Sequence, residues 1–261
     1  MSIDRRLVRQ TWGGDSHTMD HHLVPHFYRQ IVEAKGDEAI RYRQPPITGE
    51  WQKGGLQITV PWIDSFNNMI RKHAGIPSCY VLCAGTNNLR ASPTQIEKRF
   101  IVDMHREVID QVLRTEAAAL CIVSPIPDGK GKTDAIGEEL DQDLRELCDE
   151  KKEPLGRIQY IRFRTRKLPH GGRPSRFSQQ YFKPDKVHLN PTGARMLAES
   201  IYNVQTMITN EAYNMPKDEV SLIKRIQVTF PGWTIRQFDE EMERLLQYHR
   251  NQSVASDQNN N

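Results

Sequence analysis

Cys79-Tyr80-Val81-Leu82-Cys83-Ala84 and Ala117 to Ser124 are two short apolar runs with no polar alternation. Runs of this length read as strands buried on both faces, which belong to parallel sheets covered by helices on each side. A helix signature lies between them. Ser92 reads as its N-cap, Pro93 as the first helical residue and Gln95 as the capping-box partner, with Ile96, Phe100, Met104, Val108 and Val112 following at four-residue intervals. The alternation continues on both sides. Leu7 to Trp12 reads as an unusually polar strand and Ile158 to Phe163 as a half-exposed one. Residues 134–150 read as a polar helix. Asn190-Pro191 opens a last helix whose apolar face is Ala194, Leu197, Ala198, Ile201, Val204 and Ile208. Strand, helix and strand in this order predict an α/β fold built of βαβ units.

Composition narrows the setting. The chain has 261 residues, 37% hydrophobic and 26% charged. No apolar run approaches the roughly 20 residues of a membrane helix, so a transmembrane segment is not expected. Met1 to Arg9 is polar and basic, without the apolar core of a secretory signal. Cys79, Cys83, Cys121 and Cys148 show no zinc-type pairing; three of them lie in apolar or helical stretches and read as buried thiols, and an intracellular, cytoplasmic protein is expected. The net charge of +3 does not by itself call for nucleic acid. The main domain is expected over residues 1–210. A helical extension over 211–249 would act as a lid or interaction element. Residues 250–261 have too little apolar content to fold.

Four segments carry chemistry. Trp12-Gly13-Gly14-Asp15-Ser16 follows the first strand and precedes a helical pattern, so its glycines allow a tight turn that exposes a hydroxyl. A serine is a weak nucleophile until a base removes its proton. Asp185-Lys186-Val187-His188 offers that base. At this spacing the carboxylate can reach one imidazole nitrogen, fix the tautomer and leave the other nitrogen free. Gly85-Thr86-Asn87-Asn88 follows a buried strand, where parallel sheets bind ligands, and its amide can donate to a developing oxyanion. Lys53-Gly54-Gly55 offers a glycine N–H for the same purpose. Taken singly, each also reads as something ordinary: Ser16 as an N-cap, the others as turns.

The order Gly-Asp-Ser, Gly, Gly-x-Asn and Asp-x-x-His, with Val187-His188-Leu189-Asn190-Pro191-Thr192-Gly193 as its most specific part, resembles the SGNH/GDSL hydrolase superfamily over residues 6–209. The resemblance implies a three-layer α/β/α sandwich with a flavodoxin-like parallel sheet. It implies Ser16 as nucleophile, His188 as base and Asp185 as the acid that orients it. The oxyanion hole would use the N–H groups of Ser16 and Gly55 and the side chain of Asn87, and no metal or organic cofactor is implied. The substrate would be an ester of a small molecule, lipid or sugar. Four features depart from the family pattern: the polar first strand, His17 directly after the serine, the absence of the glycine often found a few residues later, and Asn88 where an aspartate is usual. The segment Ala84-Gly85-Thr86-Asn87-Asn88-Leu89 also resembles the esterase-type domains carried by animal retrotransposons and genes derived from them.

One segment stands outside this pattern. Arg157 to Arg176 holds seven Lys/Arg (Arg157, Arg162, Arg164, Arg166, Lys167, Arg173 and Arg176) and no acid. It reads as a solvated loop, as an attractor for an anionic partner, or as an RNA-binding strip in which Tyr160, Phe163 and Phe177 would stack on bases. A rival function follows from the last reading: a catalytically weak or inactive scaffold that binds RNA or a protein partner.

Overall fold

Four parallel strands stand in the sheet in the order in which they occur: β1 (Arg9–Gly14), β2 (Ser78–Cys83), β3 (Ala118–Val123) and β4 (Ile158–Ile161). The computed structural model describes residues 8–19, 22–35, 52–75, 77–126, 134–162, 181–185 and 187–213. β1 pairs with β2 from Arg9 beside Ser78 to Gly14 beside Cys83, and Leu120 of β3 pairs with Ile158 of β4. One parallel bridge, Gly14 with Gln52, adds the rudiment of a further strand on the free side of β1. The chain therefore leaves β1 on one side and re-enters the sheet at β2 on the other. That reversal opens the crevice in which such sheets bind ligands.

Helices cover both faces: α1 (Leu23–Lys35), α2 (Val60–Lys72), α3 (Thr86–Ala91), α4 (Gln95–Arg114), α5 (Asp134–Glu150) and α6 (Pro191–Gln205). Alternation along the strands feeds two cores. Cys79, Val81 and Cys83 of β2 face Val24, Tyr28, Leu197 and Ile201 of α1 and α6. Tyr80 and Leu82 face Phe66, Ile101, Val108 and Leu144 of α2, α4 and α5. The fold is the expected α/β/α arrangement around a parallel sheet.

β2 and β3 are buried along their whole length, as uninterrupted apolar runs require. Gln10 and Thr11 of β1 are buried too, and for Gln10 the reason is a distant partner. Gln10 Oε1 accepts a hydrogen bond from Gln205 Nε2 of α6 at 2.8 Å, and Tyr28 donates to the same Gln205. A buried amide is tolerated where another buried amide answers it.

Several boundaries differ from expectation. α4 is capped by Thr94, whose Oγ1 accepts the Glu97 N–H at 3.2 Å, and Ser92 instead closes α3. Ile96 is 83% exposed. The buried face of α4 runs through Ile101, Met104, His105, Val108, Ile109 and Val112, a three-four spacing that leaves Ile96 short of the sheet. The Asn-rich stretch after β2 is helical rather than a turn. Val204 is half-buried, and Ile208 packs in the core from beyond the end of α6. All four cysteines are buried and unbridged. Among the described residues no helix is long and apolar enough to cross a membrane. The chain divides into units Met1–Asn214 and Met215–Asn261. Apart from a 3-10 turn at Asn210–Tyr213, the expected helical extension over 211–249 and the tail over 250–261 lie outside the described residues.

Candidate active site

At the carboxyl end of β1 the backbone turns too sharply for any side chain. Gly14 has φ 137°, and a Cβ there would sit 1.9 Å from the Cys83 carbonyl oxygen. The chain can then run straight into Asp15, whose N–H donates to that same carbonyl at 3.0 Å. Ser16–Thr18 form a 3-10 turn capped by Asp15, not by Ser16. Asp15 Oδ1 accepts the His17 N–H at 3.0 Å and lies 2.9 Å from His17 Nδ1, while Thr18 Oγ1 donates to Asp15 O at 2.8 Å. All four residues are buried. Burial alone would raise the Asp15 carboxyl, but the charge and hydrogen bonds of His17, with the charge of Arg90 beyond, hold it below the usual carboxylate range. The turn that presents Ser16 is thus locked from within by a buried carboxylate–imidazole pair.

The second half of the site hangs on α6. Phe182 and Leu189 form an antiparallel bridge, Lys183 N donates to His188 O at 2.7 Å, and Asn190 N donates to Tyr181 O at 2.9 Å. This small hairpin leans on the first turn of the helix. A Cβ on Gly193 would meet Tyr181 O at 2.5 Å, so only glycine admits the approach. Asn190 caps α6 by accepting the Gly193 N–H at 3.1 Å. Asp185, at the tip, accepts the N–H groups of Val187 at 2.8 Å and His188 at 3.0 Å through Oδ1, and meets His188 Nδ1 at 2.8 Å through Oδ2. Against the effect of desolvation, these bonds hold the Asp185 carboxyl well below its usual range. An ionised carboxylate at Nδ1 places the proton of a neutral imidazole there and leaves Nε2 as the basic nitrogen.

The His188 ring lies 5.8 Å, centroid to centroid, from the ring of His17, the residue after Ser16. It stacks on His22 at 5.7 Å and 25°. The sequence-expected base is therefore joined to its expected acid and set against the turn that carries the expected nucleophile.

The third element ties the remaining residues together. Gln52 donates to Thr18 O, and Lys53 N donates to Gly14 O at 3.2 Å. A turn from Lys53 to Leu56 follows, with Gly55 at φ 72° and exposed. Asn87 Nδ2 donates to Leu56 O at 3.0 Å, keeping a second N–H for another acceptor. Its neighbour Asn88 explains one departure from the family pattern. Asn88 Oδ1 accepts the Ile58 N–H at 2.7 Å, and Nδ2 donates to Ile58 O at 3.0 Å and Glu97 Oε1 at 2.6 Å. An aspartate could accept but not donate, so only the amide holds both backbone groups of Ile58.

Sequence reasoning did not assign roles to His17, His22, Arg90 or Asn88. The Asp-x-His spacing at Asp15 and His17 is an Asx-turn signal that was there to be read. Arg90 lies one turn after Asn87, which is visible only once residues 86–91 are known to be helical. Nothing in the sequence marks His22. Two of the seven basic residues of the Arg157–Arg176 segment have structural work. Arg157 donates to Leu113 O and Thr115 O at the end of α4, and Arg162 pairs with the buried Asp141 at 2.8 Å. The other five lie outside the described residues. Among the described residues no group of three His, Cys, Asp or Glu side chains has metal-holding geometry.

No family model matches the sequence, and no curated protein matches it. Solved structures do match in fold. A carbohydrate esterase family 3 protein from Talaromyces cellulolyticus superposes with a TM-score of 0.54 at 17% identity, over 77% of this chain and 98% of that one. An acetyl esterase variant with an acetate ion gives 0.51 at 16% identity, over 77% and 98%. A member of the lipolytic G-D-S-L family from Veillonella parvula gives 0.52 at 13% identity, over 76% and 98%. The chain has an SGNH/GDSL-like fold.

Proposed function

We propose that the protein is a serine ester hydrolase that works through an acyl-enzyme. The observation that carries this reading is the Asp185–His188 pair, held at 2.8 Å through Nδ1 and set against the turn of Ser16. His188 Nε2 takes the Ser16 hydroxyl proton as Oγ attacks the ester carbonyl carbon. The oxygen that gains charge is received by the N–H groups of Ser16 and Gly55 and by the Asn87 amide. His188 then gives its proton to the departing alcohol. A water molecule, deprotonated in turn by His188, releases the acid and restores Ser16. Two fold neighbours are described as an acetyl esterase and a carbohydrate esterase, which favours a small acyl group on an alcohol or sugar. The resemblance to retrotransposon esterase-type domains rests on Ala84 to Leu89 together with the polar composition and the expected intracellular setting.

The test is labelling of the purified chain by a fluorophosphonate, which reacts with serines activated by a base and an oxyanion hole. Labelling of the wild type that disappears in both Ser16→Ala and His188→Ala is the expected result. A folded wild type that takes no label would overturn the reading and leave the rival, a binding scaffold, in its place.

A further inference from the structure

Arg90 is a side chain near this site whose chemistry the proposed reaction does not use. It lies three residues after Asn87, on the same side of α3. Its Nη1 donates to Asn87 Oδ1 at 3.5 Å. Its Nε and Nη2 are buried and find no hydrogen-bond partner among the described residues. These two nitrogens carry the N–H bonds that run side by side, the pair that grips a carboxylate in two places.

Two other inward-facing arginines are answered by acids. Arg162 pairs with Asp141, and Arg157 pairs with Glu153 and caps the end of α4. Beside Arg90 the available acids are spent elsewhere. Asp15 accepts its described side-chain hydrogen bonds from His17, and Glu97 accepts from Asn88. Guanidinium N–H groups withdrawn from water with no acceptor are unfavourable even with the Asp15 charge nearby, so an anion supplied from outside the chain accounts for their retention.

We propose that Arg90 is a specificity residue of the candidate site and binds, through Nε and Nη2, a carboxylate carried on the acyl part of the ester. The inference rests on the reading of Ser16 and Asn87 given above. Asn87 would hold the carbonyl oxygen, and Arg90 touches Asn87, so the anion belongs on the acyl side. The substrate class is then the monoester of a dicarboxylic acid. Ser16 displaces the alcohol, which leaves with the proton from His188. Water then splits the acyl-serine to give the free diacid, with no other reactant needed.

The experiment compares the full-length wild type, Arg90→Gln and Arg90→Lys. Turnover of 4-nitrophenyl hemisuccinate is measured against 4-nitrophenyl butyrate, and succinate is titrated calorimetrically against succinamide. The wild type should favour the anionic ester. In Arg90→Gln the ratio of the two kcat/KM values should fall about tenfold or more, with Arg90→Lys between, because lysine keeps the charge but not the paired N–H groups. An unchanged ratio in Arg90→Gln overturns the proposal. If the wild type hydrolyses neither ester and takes no fluorophosphonate label, the hydrolase reading has failed, and the titration decides on Arg90 alone. Succinate binding that Arg90→Gln abolishes upholds the anion site, whereas equal binding of succinate and succinamide, or none, removes it. Unchanged thermal midpoints in the variants establish that the fold is intact.

Discussion

Asp15–His17 and Asp185–His188 are the same two groups at nearly the same separation, 2.9 and 2.8 Å, in different surroundings. In the first pair the side chains are 4% and 6% exposed, and in the second 47% and 33%. Both carboxylates also accept backbone N–H groups, so both are turn-formers. The difference lies in what the imidazole can do next. His17 is shut into the turn, and its Nε2 has no partner among the described residues. His188 stands at the edge, where a proton can arrive and leave. On the proposed mechanism these identical pairs divide into a clamp and a base by burial, a distinction that the spacing of the residues does not carry.

Removing the exposed base should cost activity and spare the fold. His188→Ala should lower ester turnover by about 10⁴-fold or more, as in other base-activated serine sites, while the midpoint of thermal unfolding moves by a few degrees at most. Turnover and a melting curve on the same sample check both halves. Removing the buried imidazole should do the reverse first. His17→Leu leaves the Asp15 carboxylate buried and unpaired, and breaking such a pair costs about 3–5 kcal/mol. Urea unfolding should show this loss, and it should be much smaller for the double variant Asp15→Asn, His17→Leu. If His17→Leu and His188→Leu destabilise equally, the distinction between clamp and base is wrong.

Buried histidines without a carboxylate sharpen the contrast. Burial, with the charges of Arg9 and Lys72, pushes His73 down to about 3, and burial pushes His105 down to about 4 against its hydrogen bond to Ile101. Both lie below the unfolded value near 6.5, so the unfolded chain takes up protons first as the pH falls. Stability should be full above pH 6.5 and decline below it, by about 1.4 kcal/mol per pH unit for each histidine. Urea midpoints at pH 7, 6 and 5 should follow this slope, and His105→Leu should flatten it. The smallest change concerns the loop beside the site. Asn88→Asp removes the donor to Ile58 O and faces Glu97 with a like charge, which should cost about 1–3 kcal/mol and lower turnover through Asn87.

The layered fold was readable because β2 and β3 have nothing to offer but apolar surface, and two-sided burial leaves one way to read that. The polar β1 was readable only by its position before Gly13-Gly14. Its burial depends on Gln205, nearly two hundred residues later, and no local pattern reports such a partner. Asp185 and His188 were found because their contact is local, as was the Asn190 cap. Thr94 was missed as the cap of α4 because the Ser92-Pro93 signal beside it looked stronger. Asn88 was noticed as a departure but not understood, since its partner at Ile58 belongs to another loop. Arg90 stayed invisible until the turn that holds it proved to be a helix.

The close approach of Gly193 to Tyr181 bears on how the protein reaches this state. The contacts that set the Asp185–His188 pair lie between Tyr181 and Gly193, so the loop they close is short and its entropy cost small. The turn of Ser16 forms only when β1 finds β2 across a long intervening stretch. The two halves of the site therefore have separate assembly histories. The half that holds Asp185 and His188 can be in place early and wait, and on the proposed mechanism the chain acquires its nucleophile only when its sheet is complete.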